Sequence, residues 1–175
     1  MKMSKLALAI GALVMAGGAM AQSTATGTGT ANASVILPIT IGAGDTLEFG
    51  NVVSGVGTVV IATDGTRTES SGLPSSSAQK TTFRNATFNV AGEKGFSYSI
   101  ALPGNVVLNN AVAGTMVASA FTVAAGGTGT VAGLVGTLDA TSGLGVLKVG
   151  ATLGVSANQP TGTYTNTYSV TVAYN

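Results

Sequence analysis

Hydrophobic and polar residues alternate through the last fourteen positions of the chain, residues 162–175. Every second side chain from Tyr164 falls on one face, and the residues between them are mostly Thr and Ser. A bulky face set against a Thr and Ser face at a period of two residues is typical of a half-buried β-strand. We therefore predict a single edge strand here, with core-facing positions at Tyr164, Tyr168, Val170, Val172 and Tyr174.

Similar alternation recurs through the chain, and no helical period persists after the first 21 residues. Thr and Val are abundant, and their branched side chains suit a pleated surface. Asp64-Gly65 predicts a two-residue hairpin turn. The segments predicted as strands are residues 47–49, 59–61, 88–90, 96–102, 106–109, 117–123 and 147–155. Short strands punctuated by Gly and Asn predict an all-β fold, an antiparallel sandwich of about eight to ten strands.

Residues 23–41 also alternate, but their side chains change in size midway. Up to residue 33 the odd positions are small and the even positions are mostly Thr, which gives β periodicity with almost no side-chain bulk. We interpret residues 22–33 as an N-terminal extension that precedes a sandwich domain at residues 34–175. The bulkier residues 35–41 predict the first strand of that domain. The small odd-numbered residues of the extension include Ala25, Gly27, Gly29, Ala31 and Ala33.

The first 21 residues have the layout of a secretory signal peptide. Lys2 and Lys5 form a basic start, residues 6–15 form an apolar run, and Ala19-Met20-Ala21 is a small-x-small cleavage site. The apolar run is shorter than the roughly 20 residues that a membrane span needs. We therefore predict export to the periplasm, with no stable membrane span after the signal is removed.

Charge is scarce in the predicted mature chain, residues 22–175. Five Lys and Arg against six Asp and Glu give a net charge of 5 − 6 = −1. Without a basic patch to hold phosphates, we expect no nucleic-acid partner. A surface of Thr, Ser, Asn and Gly repels its neighbours weakly, which suits close packing of subunits.

The side chains that carry most enzyme chemistry are missing. There is no His and no Cys, which removes the usual zinc ligands and the Ser-His or Cys-His nucleophile pairs. The nearest carboxylate pairs, Asp45 with Glu48 and Asp64 with Glu69, fall at predicted strand ends or turns, where acids normally face water. We predict no catalytic residue, no metal site and no cofactor, and we expect that the protein is not an enzyme.

The tyrosines of the last strand allow two interpretations. Tyr164, Tyr168 and Tyr174 could line a sugar-binding platform, or they could fill the core of a sandwich with their hydroxyls at its rim. The second arrangement is the commoner one. Tyr164 follows the bend at residues 160–162, where a corner tyrosine ties a loop to a strand.

Several segments resemble a bacterial exported family known as domain of unknown function 4402. They are residues 35–41, Leu47-Glu48-Phe49-Gly50, Asp64-Gly65-Thr66-Arg67, residues 96–100 and the C-terminal ending. The ending is also similar to the spore coat protein U family, which includes subunits of archaic chaperone–usher pili. This resemblance implies an immunoglobulin-like, pilin-like sandwich that lacks one strand. It also implies that the extension of the next subunit fills the groove, which makes the extension a candidate donor strand through Ala25, Gly27, Gly29, Ala31 and Ala33. The partners implied by the resemblance are a periplasmic chaperone and an outer-membrane usher.

The function expected from these features is structural. The chain is predicted to be a fibre subunit at the cell surface that associates with itself or with related subunits by strand complementation, with a role in adhesion or biofilm. The alternative is a monomeric secreted sandwich that binds surface glycan. That alternative predicts a closed sheet, a first segment paired to its own domain, and an exposed aromatic cluster.

Overall fold

The computed structural model describes residues 24–74, 82–112 and 114–175. The chain divides between Ser34 and Val35 into two units. In the first unit, the described residues 24–34 contain no strand, and every one of them is exposed. The predicted signal peptide, residues 1–21, lies outside the described residues.

The described part of the second unit contains β-strands and loops, and no helix. All the strand pairs are antiparallel. The prediction of an all-β antiparallel fold is confirmed, although the described residues form more strands than the eight to ten expected. They are β1 (Thr40–Ala43), β2 (Gly57–Ile61), β3 (Arg67–Glu69), β4 (Ala86–Ala91), β5 (Ser97–Ala101), β6 (Val106–Asn110), β7 (Thr115–Ala125), β8 (Thr130–Ala132), β9 (Val135–Thr137), β10 (Leu144–Val155), β11 (Tyr164–Thr165) and β12 (Thr171–Tyr174).

The larger sheet is built around β10, its longest strand. Its order is β1-β4-β10-β7-β6-β11, with β2 also paired to β10 and β3 paired to β2. Strands β4 and β2 share one edge of β10, because β4 covers its first half and β2 its second half. Every second side chain of β10 is buried, as its alternation predicted: Leu147, Val149, Ala151, Leu153 and Val155.

The smaller sheet has the order β12-β5-β9-β8 and packs against the larger one. Tyr98 and Ile100 of β5 are almost completely buried, and they share a core cluster with Val90 of β4 and Leu147 of β10. Because one cluster draws side chains from both sheets, the domain is a sandwich with its main core between them.

A second cluster continues along β10 beyond the smaller sheet. Leu153 and Val155 pack there with Val59 of β2 and Met116 of β7. Loop residues cover this part of the larger sheet: Leu73 is buried, and Phe49 and Val52 are partly buried.

A β-bulge divides the apolar pattern of β7. Gly150 pairs with Thr122 but Thr152 pairs with Ser119, so β7 carries one extra residue between them. Ala120 has a φ of 48° at this point. The extra residue reverses which face points inward: even-numbered residues are buried before the bulge, whereas Phe121 lies inward after it.

The hairpin predicted at Asp64-Gly65 is present, but its loop is longer than two residues. The backbone N–H of Ala62 bonds to the carbonyl of Thr66, and the N–H of Gly65 bonds to the carbonyl of Ala62. Gly65 has a φ of 86°, which suits a type I turn followed by a left-handed residue.

The prediction of a first strand at residues 35–41 is wrong for most of its length. Strand β1 begins only at Thr40, and Val35 is 97% exposed. Ile36 and Leu37 are also exposed, while Ile39 and Ile41 pack partly on the core. The segment before β1 has no strand partner in the described domain, so its apolar residues have no sheet to bury them.

The single C-terminal strand is also wrong, because the structure divides it between the two sheets. Strand β11 pairs with β6 in the larger sheet, and β12 pairs with β5 in the smaller one. Asn166 ends the first piece: its amide donates to the carbonyl of Val107, and its side-chain oxygen accepts from the N–H of Thr167. Such local side-chain bonds compete with a strand ladder.

Candidate functional site

Strand β12 leaves one edge of the smaller sheet open. It pairs with β5 alone, and the part of the chain that the structure describes places no strand on its other side. The N–H of Asn175 bonds to the carbonyl of Ser97, which identifies the residues that face β5. Because the direction alternates along an antiparallel strand, the N–H and C=O groups of Val172 and Tyr174 face the open edge.

Strand β1 leaves a second open edge, on the larger sheet. It pairs with β4 alone among the described strands. The N–H of Gly44 bonds to the carbonyl of Thr87, so by the same alternation the backbone groups of Ile41 and Ala43 face away from β4. We call the opening between the free edges of β1 and β12 the open seam.

Tyr174 closes one end of the open seam. Its hydroxyl donates to the carbonyl oxygen of Leu37 at 2.9 Å and accepts from the N–H of Glu93 at 2.6 Å. The carboxylate of Glu93 in turn accepts from the N–H of Leu37 at 3.0 Å. These bonds tie β12 to the segment before β1. The Phe96 and Tyr174 rings also pack in a T-shaped arrangement, with their centroids 5.8 Å apart.

Apolar side chains next to the open seam are only partly buried. In the main core, eight described side chains are buried and eleven that pack on them are partly buried. The partly buried side chains include Ile39 and Ile41 from the β1 side. They also include Val172 and Tyr174 from the β12 side. A sandwich with a further strand on this side would cover them, so the seam combines unpaired backbone with incompletely covered core.

The candidate donor residues lie in the other unit. Ala25, Gly27, Gly29, Ala31 and Ala33 fall within residues 24–34, which form no strand and are exposed. Gly27 and Gly29 have no heavy atom within 4 Å of the position that a Cβ would take.

The candidate residues of the C-terminal ending keep their inward alternation although the strand is broken. Val170 is buried, and Tyr164, Tyr168, Val172 and Tyr174 are partly buried. Tyr164 takes the predicted corner position: its hydroxyl donates to the carbonyl of Pro160 at 2.7 Å and accepts from the Gln159 amide at 2.8 Å.

Tyr168 lies among aromatic rings rather than on an exposed platform. It packs against Phe88 and Phe121, with ring centroids at 6.1 and 5.2 Å. Burial disfavours the charged phenolate and raises the pKa of Tyr168 to about 12. Burial also raises the pKa of Tyr98, which lies inside the main core.

Hydrogen bonds and an ion pair hold several charged side chains within the domain. Arg67 is buried; it donates to the carbonyls of Phe49 and Asn51 and forms an ion pair with Glu69, whose Oε1 receives no aligned hydrogen bond. Hydrogen bonds from Ser142 and Thr141 lower the pKa of Asp139, and those from Thr66 lower the pKa of Asp64.

Within residues 24–74, 82–112 and 114–175, no group of three or more His, Cys, Asp or Glu is placed to hold a metal ion. No described helix has the length and apolarity needed to cross a membrane.

The sequence indicates part of the open seam. The alternation of the ending singles out the C-terminal edge, and Pro38, which cannot donate to a ladder, marks an edge or a change of sheet in the segment that enters β1. The sequence does not identify Leu37 and Glu93 as partners of Tyr174. The Glu93 contact had no local signal, because it joins residues 81 positions apart.

Comparison with known proteins identifies one family. The family described as Domain of unknown function (DUF4402) matches residues 39–174, which span β1 to β12. No curated protein and no solved structure matches the chain.

Proposed function

The chain belongs to the family described as Domain of unknown function (DUF4402), and we propose that this member is a non-enzymatic structural subunit of a surface fibre. In this proposal the protein is exported through its signal peptide to the periplasm and assembles at the cell surface. Subunits join by strand complementation, in which an extended segment of one copy pairs with a free sheet edge of the next.

The open edge of β12 is the observation that carries this proposal. The backbone groups of Val172 and Tyr174 face that edge, where no described strand pairs with them, beside core residues that are only partly covered. A free strand edge is a template for pairing with another chain, and soluble domains usually protect it with charges, Pro or a covering loop. Strand β12 has the sequence Thr-Val-Ala-Tyr, with no charged residue and no Pro.

The proposed donor is the N-terminal extension, residues 22–33. Its described part has β periodicity but forms no strand. We also propose that the sandwich is immunoglobulin-like and pilin-like, and that it is similar to spore coat protein U and archaic pilus subunits. The proposed partners are a periplasmic chaperone and an outer-membrane usher. The proposed role is in adhesion or biofilm.

The alternative of a glycan-binding monomer has less support from the tyrosines. It requires an exposed aromatic cluster, but Tyr98 is buried and Tyr168 packs among phenylalanine rings. The hydroxyls of Tyr164 and Tyr174 are already bonded to backbone groups.

Deletion of the extension tests the proposal. Purified residues 22–175 should form polymers by light scattering and fibres in negative-stain microscopy. Residues 34–175 should remain folded by circular dichroism and stay monomeric. Polymers of unchanged length from the truncated protein would contradict strand complementation by this segment.

A substitution at the edge provides the matched control. The Val172 N–H faces away from β5, so Val172→Pro removes a donor from the free edge without removing a bond of the β5 ladder. The variant should fold and fail to polymerise even with its extension present. A folded Val172→Pro variant that polymerises normally would place the contact somewhere other than β12.

A further inference from the structure

Side chains of its own domain line the open seam. Ile41 of β1 and Val172 of β12 pack on the core, and the Tyr174 side chain reaches across to Leu37 and Glu93. Two cavities, of about 510 and 490 Å³, lie elsewhere, beside Glu69 and beside Met116. An incoming strand therefore finds free backbone groups at β12 next to side chains that already pack on the core.

The width of the seam leads to the same conclusion. Cα atoms of β1 and β12 approach within 8 Å. A strand inserted between two others and paired with both needs them roughly 9.5 Å apart, twice the spacing of neighbouring strands. An incoming strand therefore pairs with β12 at the rim of the seam. Its inward side chains then contact the side chains that line the seam. Large inward side chains would hold its backbone away from β12.

The extension has the side chains that such a surface requires. Its odd-numbered residues are Ser, Ala or Gly from residue 23 to residue 33, and the first bulky one is Val35. Its even-numbered residues are mostly Thr, which suits the solvent-facing side of an added strand. Because side-chain size increases at Val35, only the residues before Val35 can form the docking strand.

We propose that the β12 edge selects a donor strand by its small inward residues, and that residues 24–33 of a second copy of this chain are that strand. Its Ala and Gly face meets the open seam, and its Thr face points to solvent. Main-chain hydrogen bonds supply most of the stabilisation, as in other cases of strand addition. This inference rests on the proposed function and adds the orientation and the size limit of the donor.

A pair of substitutions on opposite faces of the extension tests the inference in residues 22–175. Ala31→Leu adds bulk to the inward face, and Thr30→Leu adds a similar side chain to the outward face of the neighbouring position. We expect Ala31→Leu to reduce the polymer yield by light scattering at least tenfold. Thr30→Leu should stay within about twofold of the unsubstituted protein, and Ala31→Ser, which keeps the residue small, should also polymerise.

The outcomes separate this inference from the function on which it rests. Polymerisation of Ala31→Leu at or above the unsubstituted level, with the deletion of residues 22–33 still inactive, would overturn the size limit and leave strand complementation intact. Equal loss in Ala31→Leu and Thr30→Leu would overturn the proposed orientation. If unsubstituted residues 22–175 form no polymer, the proposed function fails and this inference fails with it.

Discussion

The hydroxyl of Tyr174 donates a hydrogen bond to the carbonyl oxygen of Leu37, across 137 positions of sequence. It ties the last strand of the smaller sheet to the segment that enters the first strand of the larger one. Among the described strands, β12 and the strand that this segment enters, β1, each have a free edge at the open seam. The bond therefore fixes one end of the surface at which we propose that subunits join.

Removal of this hydroxyl should weaken the domain. Tyr174→Phe leaves the carbonyl of Leu37 and the N–H of Glu93 without this partner, so we expect a loss of about 1–2 kcal/mol in the free energy of unfolding. Urea denaturation of residues 34–175 measures it. Tyr168→Phe is the matched control, because the Tyr168 hydroxyl bonds to no described residue, and its stability should change by less than about 0.5 kcal/mol.

The packing of the smaller sheet depends on a glycine beneath Tyr98. A Cβ at Gly136 would overlap the Tyr98 ring, so Gly136→Ala should destabilise the domain by about 1–3 kcal/mol through overpacking. Gly104→Ala is the control, since no heavy atom lies within 4 Å of its Cβ position. Equal denaturation midpoints for the two variants would contradict this account of the core.

The two ion pairs should differ sharply in their effect on stability. The Arg67 and Glu69 side chains are 3% and 14% exposed, whereas those of Arg84 and Glu48 are 47% and 33% exposed. Arg67→Ala leaves a buried carboxylate and two backbone carbonyls without their partner, so we expect a loss of about 3–5 kcal/mol. Arg84→Ala should cost at most about 1 kcal/mol. Thermal or urea unfolding of both variants checks the contrast.

High pH should destabilise the fold through Tyr168. Its pKa is raised to about 12 in the folded state, so the folded protein retains a proton that the unfolded chain loses near pH 10. The contribution of Tyr168 is therefore fully present below pH 10 and is lost as the pH rises towards 12. Because burial also raises the pKa of Tyr98, absorbance titration at 295 nm should show late phenolate ionisation from both tyrosines. Tyr168→Phe should reduce the amplitude of this late ionisation by one tyrosine, and an unchanged amplitude would contradict the assignment to Tyr168.

Local alternation predicted the interior of the sandwich well where strands are long and paired on both sides. Tyr98 and Ile100, and the buried face of β10, follow directly from a period of two. The inward alternation of the C-terminal ending also holds, because Tyr168 and Val170 remain against the core while the chain crosses between sheets.

The features that the sequence did not reveal depend on distant partners. The C-terminal strand breaks where Asn166 bonds to Val107, a residue of another strand. The bulge at Ala120 alters the period of β7 without a Gly or Pro to mark it. The segment from Val35 to Leu37 has the hydrophobicity of a buried strand, but no strand of the described domain pairs with it. Its exposure could not be predicted from local pattern alone.

Disulfide trapping between two single-cysteine variants tests the central claim most directly, because the chain has no native Cys. One variant carries Thr28→Cys or Thr30→Cys on the Thr face of the extension, and the other carries Ala173→Cys on the exposed face of β12. Mixed under oxidising conditions, they should form a disulfide-linked pair of different copies. A third variant with Thr122→Cys, exposed on β7, should link far less. Cross-linking to Ala173→Cys no greater than to Thr122→Cys would contradict docking of the extension on β12.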